Sequence, residues 1–232
     1  MVTSGEERAT SGRAPGSVSD RAGGPFPRFA REGWPFIGIP LGLGIAAAAL
    51  GWPFVAVPLL LLAGFSAWFF RDPDREVPAD PALVVAPADG RVVELEHLQD
   101  GRLRLAIFLS ILDVHVNRAP VAGRVVRVRH TPGRFLAAWR PETRDVNERN
   151  EVVLATDRGP VEVLQVAGLV ARRIVCRVGP GTTVEKGERF GMIRFGSRTE
   201  LILPPGARPL VGPGDTVRGG ATVVARWEDR SP

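Results

Sequence analysis

Tyrosine is absent from the 232 residues, and cysteine and lysine occur once each, as Cys176 and Lys186. A single cysteine excludes an internal disulfide framework and a four-cysteine zinc site. A single lysine all but excludes chemistry carried by a lysine amine. The chain has no Walker loop, no H-E-x-x-H and no paired cysteines, so no metal site is expected. Aromatic residues are not interleaved with the arginines. The stacking platform that single-stranded nucleic acid needs is therefore missing, and no nucleic-acid partner is expected.

What is present is basic and apolar. The net charge is +5 and 44% of the residues are hydrophobic, enough for a core and a sign of charge that suits an anionic membrane surface. The length fits one sizeable domain with an accessory segment. Gly (27) and Pro (21) are abundant, which favours turns and short strands over long helices.

Between Glu32 and Arg71 lie 38 residues without a charge. As one helix they would run roughly 57 Å, against a hydrocarbon core of about 30 Å. Two short helices fit better, with a break near residues 51–53. The segment repeats itself: Gly33-Trp34-Pro35-Phe36 returns 18 residues later as Gly51-Trp52-Pro53-Phe54. Each Pro falls where a helix start tolerates a missing N–H, and each Trp suits a membrane interface. Arg28 and Arg31 precede the segment and Arg71 and Arg75 follow it, which puts both ends on the cytoplasmic face of the cell membrane. The expected organisation is a disordered cytoplasmic tail (1–32), a hydrophobic membrane hairpin (33–70) and a β domain (71–232). Whether the hairpin spans the bilayer or re-enters it stays open.

After Arg71 the pattern turns to short runs of Val, Ile and Leu separated by Gly, Pro and Asp. Strands are predicted at Arg91–Leu95, Leu103–Ile111, Val125–Val128, Val152–Ala155, Val161–Val166, Ile174–Val178, Met192–Phe195, Thr199–Leu203 and Thr222–Trp227. Pro132–Asn147 resists this pattern and is expected to hold a short helix or a loop. Two internal similarities share a 33-residue offset. Ala86-Pro87-Ala88-Asp89-Gly90-Arg91-Val92-Val93 matches Ala119-Pro120-Val121-Ala122-Gly123-Arg124-Val125-Val126, and Val178-Gly179-Pro180-Gly181 through Gly187 matches Val211-Gly212-Pro213-Gly214 through Gly220. The expected fold is mainly β, a sandwich or barrel-sandwich hybrid, preceded by the helical hairpin.

Few residues could do chemistry. His115 ends an apolar run in Asp113-Val114-His115-Val116-Asn117-Arg118-Ala119-Pro120; from the residues alone it is either a site histidine or a satisfied core histidine. Asp89 fits a plain Asp-Gly turn, yet its counterpart in the second copy is Ala122, so the turn does not require a carboxylate. Gly196-Ser197 taken alone is a turn, and it lacks the Ser-x-Gly of a hydrolase elbow. Asn147-Glu148-Arg149-Asn150 is a dense polar run before a strand.

Together, several stretches resemble the phosphatidylserine decarboxylase family in its short prokaryotic form. They are Phe69-Phe70-Arg71-Asp72-Pro73, Ala86–Gly90, Asp113–Pro120, Asn147-Glu148-Arg149, Gln165-Val166-Ala167-Gly168, and Lys186-Gly187-Glu188 through Phe195-Gly196-Ser197, all in family order. The resemblance implies a carboxy-lyase that matures by cutting itself at Gly196–Ser197. The Ser197 hydroxyl would attack the Gly196 carbonyl in a strained turn, and β-elimination would release a β chain of residues 1–196. The α chain, 197–232, would begin with a pyruvoyl cofactor made from Ser197. A ketone of this kind accepts the serine headgroup amine and takes the electrons left as CO₂ departs. Pyridoxal phosphate would need a Schiff-base lysine, and the only candidate is Lys186, in a turn; a protein-derived ketone needs none.

The resemblance also assigns roles. It makes His115 the candidate proton donor and links Asp89 to self-cleavage. Longer members of the family carry a second histidine three residues after the first; here that position is Arg118. Either His115 serves both steps, or self-cleavage relies on strain, Asp89 and backbone donors. Arg118, Asn147 and Arg149 are candidate contacts for the phospholipid substrate. The implied partners are that lipid and the two chains of the cleaved heterodimer, with pairing of two such heterodimers left open. Two other functions are compatible with the sequence: the same reaction on archaetidylserine, and a membrane-tethered lipoyl-like carrier, which would need a modified lysine at a hairpin tip.

Overall fold

The computed structural model of the chain describes residues 29–136, 143–169, 173–194 and 197–228. Most of the expected tail, together with Phe195 and Gly196, lies outside the described residues. The uncharged stretch folds as two helices that pack side by side. A 3-10 turn at Arg31–Gly33 leads into α1 (Trp34–Ala49), and α2 (Pro53–Phe69) returns. Gly51, at φ 73°, takes the left-handed conformation that the reversal requires. A Cβ at Gly44 would lie 2.9 Å from the Leu60 side chain, so the missing side chain lets the helices approach. The outward faces are apolar: Ile39, Leu43, Leu61 and Phe54 are exposed, Phe54 by 93%. The two ends are tied together where Phe29 bridges to Arg71 and the Ala30 N–H donates to the Phe70 carbonyl at 2.8 Å.

Among the described residues beyond the hairpin, short strands joined by turns and loops dominate, with one short helix, α3 (Thr143–Val146). The strands run β1 (Leu83–Val85), β2 (Gly90–His97), β3 (Leu103–Leu109), β4 (Val116–Arg118), β5 (Gly123–Thr131), β6 (Arg149–Thr156) and β7 (Gly159–Val166). They continue as β8 (Ile174–Cys176), β9 (Thr183–Val184), β10 (Arg189–Ile193), β11 (Ser197–Leu203), β12 (Ala207–Pro209), β13 (Thr216–Val217) and β14 (Val223–Trp227). Eight form one curled sheet in the order β13-β2-β3-β11-β7-β6-β5-β9, and two three-stranded sheets, β1-β14-β12 and β4-β10-β8, accompany it. The main core joins Leu105, Ile107, Val125, Val163, Leu201 and Leu203 to Val224 and Trp227 of β14. A second, smaller cluster seats Phe69 and Phe70 of the hairpin base against Val114, Val116 and Met192.

All nine predicted strands are present, with shifted ends. The run expected to Ile111 stops at Leu109, because Ser110 turns: its N–H and its hydroxyl both donate to the Asp113 carboxylate at 2.7 Å. The run expected from Thr199 starts at Ser197, and the run expected from Met192 starts at Arg189. The internal repeat has a structural meaning. Gly90 and Gly123 open β2 and β5, and the two-residue strands β13 and β9 pair with them in the same register, Thr216↔Arg91 and Thr183↔Arg124.

Candidate active site

β11 is central in the large sheet, with β3 and β7 on its flanks. Period-two alternation puts Ser197 and Thr199 on the same side as Leu201 and Leu203, which belong to the core. Every residue of β11 is buried. Ser197 is its first residue, opposite Leu109, and its Oγ has no hydrogen-bond partner among the described residues. A buried, unsatisfied hydroxyl costs about 1–3 kcal/mol.

His115 lies between β3 and β4 and is fully buried, its ring 4.3 Å from that of Phe69 at the hairpin base. Nδ1 lies 2.9 Å from the Asp113 carbonyl oxygen. A carbonyl only accepts, so Nδ1 carries the hydrogen and Nε2 of the neutral ring carries the lone pair. Burial pushes the imidazole pKa down to about 4, against the favourable Asp113 carbonyl and carboxylate. At neutral pH the ring is therefore a base.

Four buried polar side chains tie this region together. Asn117 Nδ2 donates to Thr199 Oγ1 (3.2 Å), Gln165 Nε2 to Asn117 Oδ1 (2.8 Å) and Asn150 Nδ2 to Gln165 Oε1 (2.9 Å). Asn117 is two residues beyond His115, and Thr199 is two beyond Ser197. Each candidate group thus lies within about 7 Å of strand from a shared hydrogen bond. Sequence reasoning gave none of these four a role, although an amide inside an apolar run, as at Gln165, is a signal that could have marked them.

Asp89 stands between β1 and β2. Its Oδ2 pairs with Arg75 Nη2 at 2.7 Å and its Oδ1 accepts the Gly219 N–H at 2.8 Å. Burial raises its pKa; Arg75 and the Gly219 N–H oppose this, and the Asp113 charge adds to it. Both Asp89 and His115 sense Asp113, which brings them into one electrostatic neighbourhood.

The other sequence candidates sit in structural contacts. Buried Arg118 donates to Asp72 Oδ1 (2.9 Å) and to the Pro73 (2.9 Å) and Gly187 (3.1 Å) carbonyls, clasping the segment after the hairpin to the turn before β10. Burial, with Arg189 adding, lowers its pKa to about 10. The Asn147 amide bonds the Leu136 N–H and carbonyl and the Ala167 carbonyl. Val166 faces Arg198, so Ala167 is one residue past it, level with Ser197. Arg149 Nη1 donates to the Asp145 carbonyl. On the far side of β11 from Ser197, Arg198 is fully buried between a two-pronged contact to Glu94 (2.9 and 2.7 Å) and Glu200 (2.8 Å).

The family model for phosphatidylserine decarboxylase matches residues 62–225. A phosphatidylserine decarboxylase proenzyme of Symbiobacterium thermophilum is 49% identical over 210 residues, 86% of this chain and 96% of that protein. The proenzyme of Desulfotalea psychrophila is 42% identical over 85% of this chain and 95% of its own. That of Gluconacetobacter diazotrophicus is 52% identical over 72% and 78%. The matched span holds Asp89, His115 and Ser197 within the arrangement just described, and the chain belongs to the phosphatidylserine decarboxylase family.

Proposed function

We propose that this chain is a proenzyme that cuts itself between Gly196 and Ser197 and then decarboxylates phosphatidylserine to phosphatidylethanolamine at the cytoplasmic face of the cell membrane. The observation that carries this reading is the buried Ser197 hydroxyl, unpartnered among the described residues, at the start of a strand tied through Thr199 and Asn117 to the His115 segment. In self-cleavage Oγ attacks the Gly196 carbonyl carbon. The C–N bond breaks, an ester forms on Oγ, and the hydroxyl proton ends on the Ser197 nitrogen. Loss of the Ser197 Cα proton then expels the Gly196 carboxylate. Hydrolysis of the resulting enamine releases ammonia and leaves a ketone at residue 197.

His115 is the base for the first proton, since its ring is neutral with the lone pair on Nε2. It can return a proton to the substrate carbon after CO₂ leaves, so one histidine serves both steps and Arg118 is left to its clasp. Asp89 acts on self-cleavage electrostatically, from its place beside Arg75 and within reach of Asp113. The site's composition suits a pyruvoyl group at residue 197, which when formed supplies the electron sink for decarboxylation. The only lysine is occupied: Lys186 Nζ donates to the Asp80 carbonyl at 2.6 Å, which disfavours a carrier domain.

The hairpin is the membrane element in this reading. The run Arg31–Ala49 has the length and apolarity to cross a membrane, and the arginines at both ends favour the cytoplasmic side. Intact-mass measurement of the purified protein tests the proposal. The expected result is two chains, 1–196 and 197–232, the smaller blocked at its N-terminus. Ser197→Ala should give one uncut chain without decarboxylase activity; normal turnover by that variant would overturn the assignment.

A further inference from the structure

Arg194 follows the last residue of β10, and the N–H of that residue, Ile193, donates to the His115 carbonyl at 3.2 Å. It also stands three residues before Ser197 in the chain, next to the residue that bonds the His115 backbone. Its own N–H donates to the Arg173 carbonyl at 3.3 Å, which brings a second arginine alongside. The guanidinium carbon of Arg194 is 5.2 Å from the ring centre of Phe36 in the first turn of α1. Nε of Arg194 is buried and has no hydrogen-bond partner among the described residues.

The charges here do not balance. Glu32 is the acid that Arg194 senses, and Glu32 is already held by Arg177 through Nε (3.2 Å) and Nη2 (2.5 Å). Burial and the like charge of Arg173 both lower the Arg194 pKa. Two adjacent cations with a buried idle donor make an arrangement that a visiting anion stabilises. Arg71, another arginine at the hairpin base, is committed to the Trp68 and Leu112 carbonyls at 2.8 and 2.7 Å.

Position selects the anion. Phe36 stacks on Phe70 at 5.5 Å, Phe70 meets Phe69 at 5.0 Å, and Phe69 meets His115 at 4.3 Å. A wall of three rings thus runs from Arg194 to the candidate base, at the foot of the apolar hairpin. We propose that Arg194, assisted by Arg173, binds the phosphodiester of the lipid substrate, leaving the serine headgroup to reach inward along the phenylalanine wall. This rests on the decarboxylase reading above. The buried Nε favours a phosphate drawn into the site over a contact with anionic lipid at large. The bidentate fork of Arg also makes the position intolerant of Lys.

The test uses the full-length, self-cleaved enzyme in detergent micelles with short-chain phosphatidylserine at fixed mole fraction. Arg194→Gln should raise KM about tenfold or more, the loss expected for one charge-assisted hydrogen bond, with kcat little changed. Arg173→Gln should raise KM less, and Arg194→Lys should recover only part. Glycerol 3-phosphate should inhibit the unaltered enzyme competitively and lose that inhibition in Arg194→Gln. Sedimentation with phosphatidylglycerol vesicles should be the same for both. An unchanged KM overturns the proposal, as does a loss of vesicle binding that matches the rise in KM, which would make Arg194 a general membrane contact. If Arg194→Gln fails to mature, Arg173→Gln and Arg194→Lys decide, and a normal KM in both overturns it. An uncut or inactive unaltered enzyme would instead sink the decarboxylase reading.

Discussion

Residues 86–92 with 211–220, and residues 119–125 with 178–187, build one small unit twice. The Gly220 N–H donates to the Ala86 carbonyl as Gly187 does to Ala119, both at 2.8 Å. Gly214 donates to Val92 as Gly181 does to Val125, again both at 2.8 Å. The units differ in what hangs on them. In the first, Asp89 takes the Gly219 N–H and Arg75; in the second, the matching residue is exposed Ala122, and Lys186 stands where Gly219 does. The same backbone therefore forms with and without the carboxylate. Asp89 is an addition to a scaffold that does not need it, and this is the physical reason to give it a chemical task.

The sharpest way to break this comparison is at the groups that the scaffold does not need. His115→Gln should slow self-cleavage by about 10²–10⁴-fold, the usual worth of a positioned acid–base group, read by the time course of chain separation on a gel. Asp89→Asn should slow the same step by about 10²-fold while the far-UV spectrum stays that of the unaltered chain; equal cleavage rates would reduce Asp89 to a turn residue.

Next come the glycines that open β2 and β5. Gly90 has φ 144° and a Cβ there would meet the Phe108 carbonyl, whereas Gly123 has no positive φ and its Cβ would stand 2.8 Å from the Ala155 carbonyl. Gly90→Ala should therefore cost about 2–4 kcal/mol and Gly123→Ala less, by urea unfolding of the uncut Ser197→Ala form.

The pH dependence is of similar size. The folded pKa of His115 is depressed from 6.5 to about 4. Between those values the unfolded chain binds the proton and the folded one does not. The stabilisation is complete above pH 6.5 and is lost as pH falls towards 4, by about 3 kcal/mol from this group. Urea midpoints at pH 7 and pH 4.5 should show the fall, and His115→Gln should flatten it. The smallest effect belongs to Ala122→Asp, which copies the carboxylate into the other unit: within about 0.5 kcal/mol in stability, and no change in cleavage.

Much of the fold was legible because alternation and turn residues mark strands of five or more residues, as at Val161–Val166. β1, β4 and β12 have three residues each, too few for a period to show. Arg198 and Glu200 alternate with Ser197, Thr199 and Leu201 and resemble a solvent face. They are buried because the Glu94 carboxylate of β2 and the guanidiniums of Arg104 in β3 and Arg144 in α3 meet them there, a pairing no local window contains. At the site, the proposed roles of Ser197, His115 and Asp89 rest on the resemblance; no local pattern singles these residues out. The amide chain Asn150–Gln165–Asn117–Thr199 was not legible, since its members are up to 82 residues apart and only the fold brings them together.

The ladder on both flanks of β11 has a consequence for the enzyme's lifetime. Ser197–Leu203 bonds to β3 on one side and β7 on the other, and β14 is inserted between β1 and β12. The proposed cut before Ser197 would leave these ladders to hold the folded body together while removing its covalent memory. The precursor can unfold and return as one molecule. The nicked form, once melted, becomes two polypeptides that must collide before they can refold, so its recovery should fall with dilution and its durability is set by how slowly it opens.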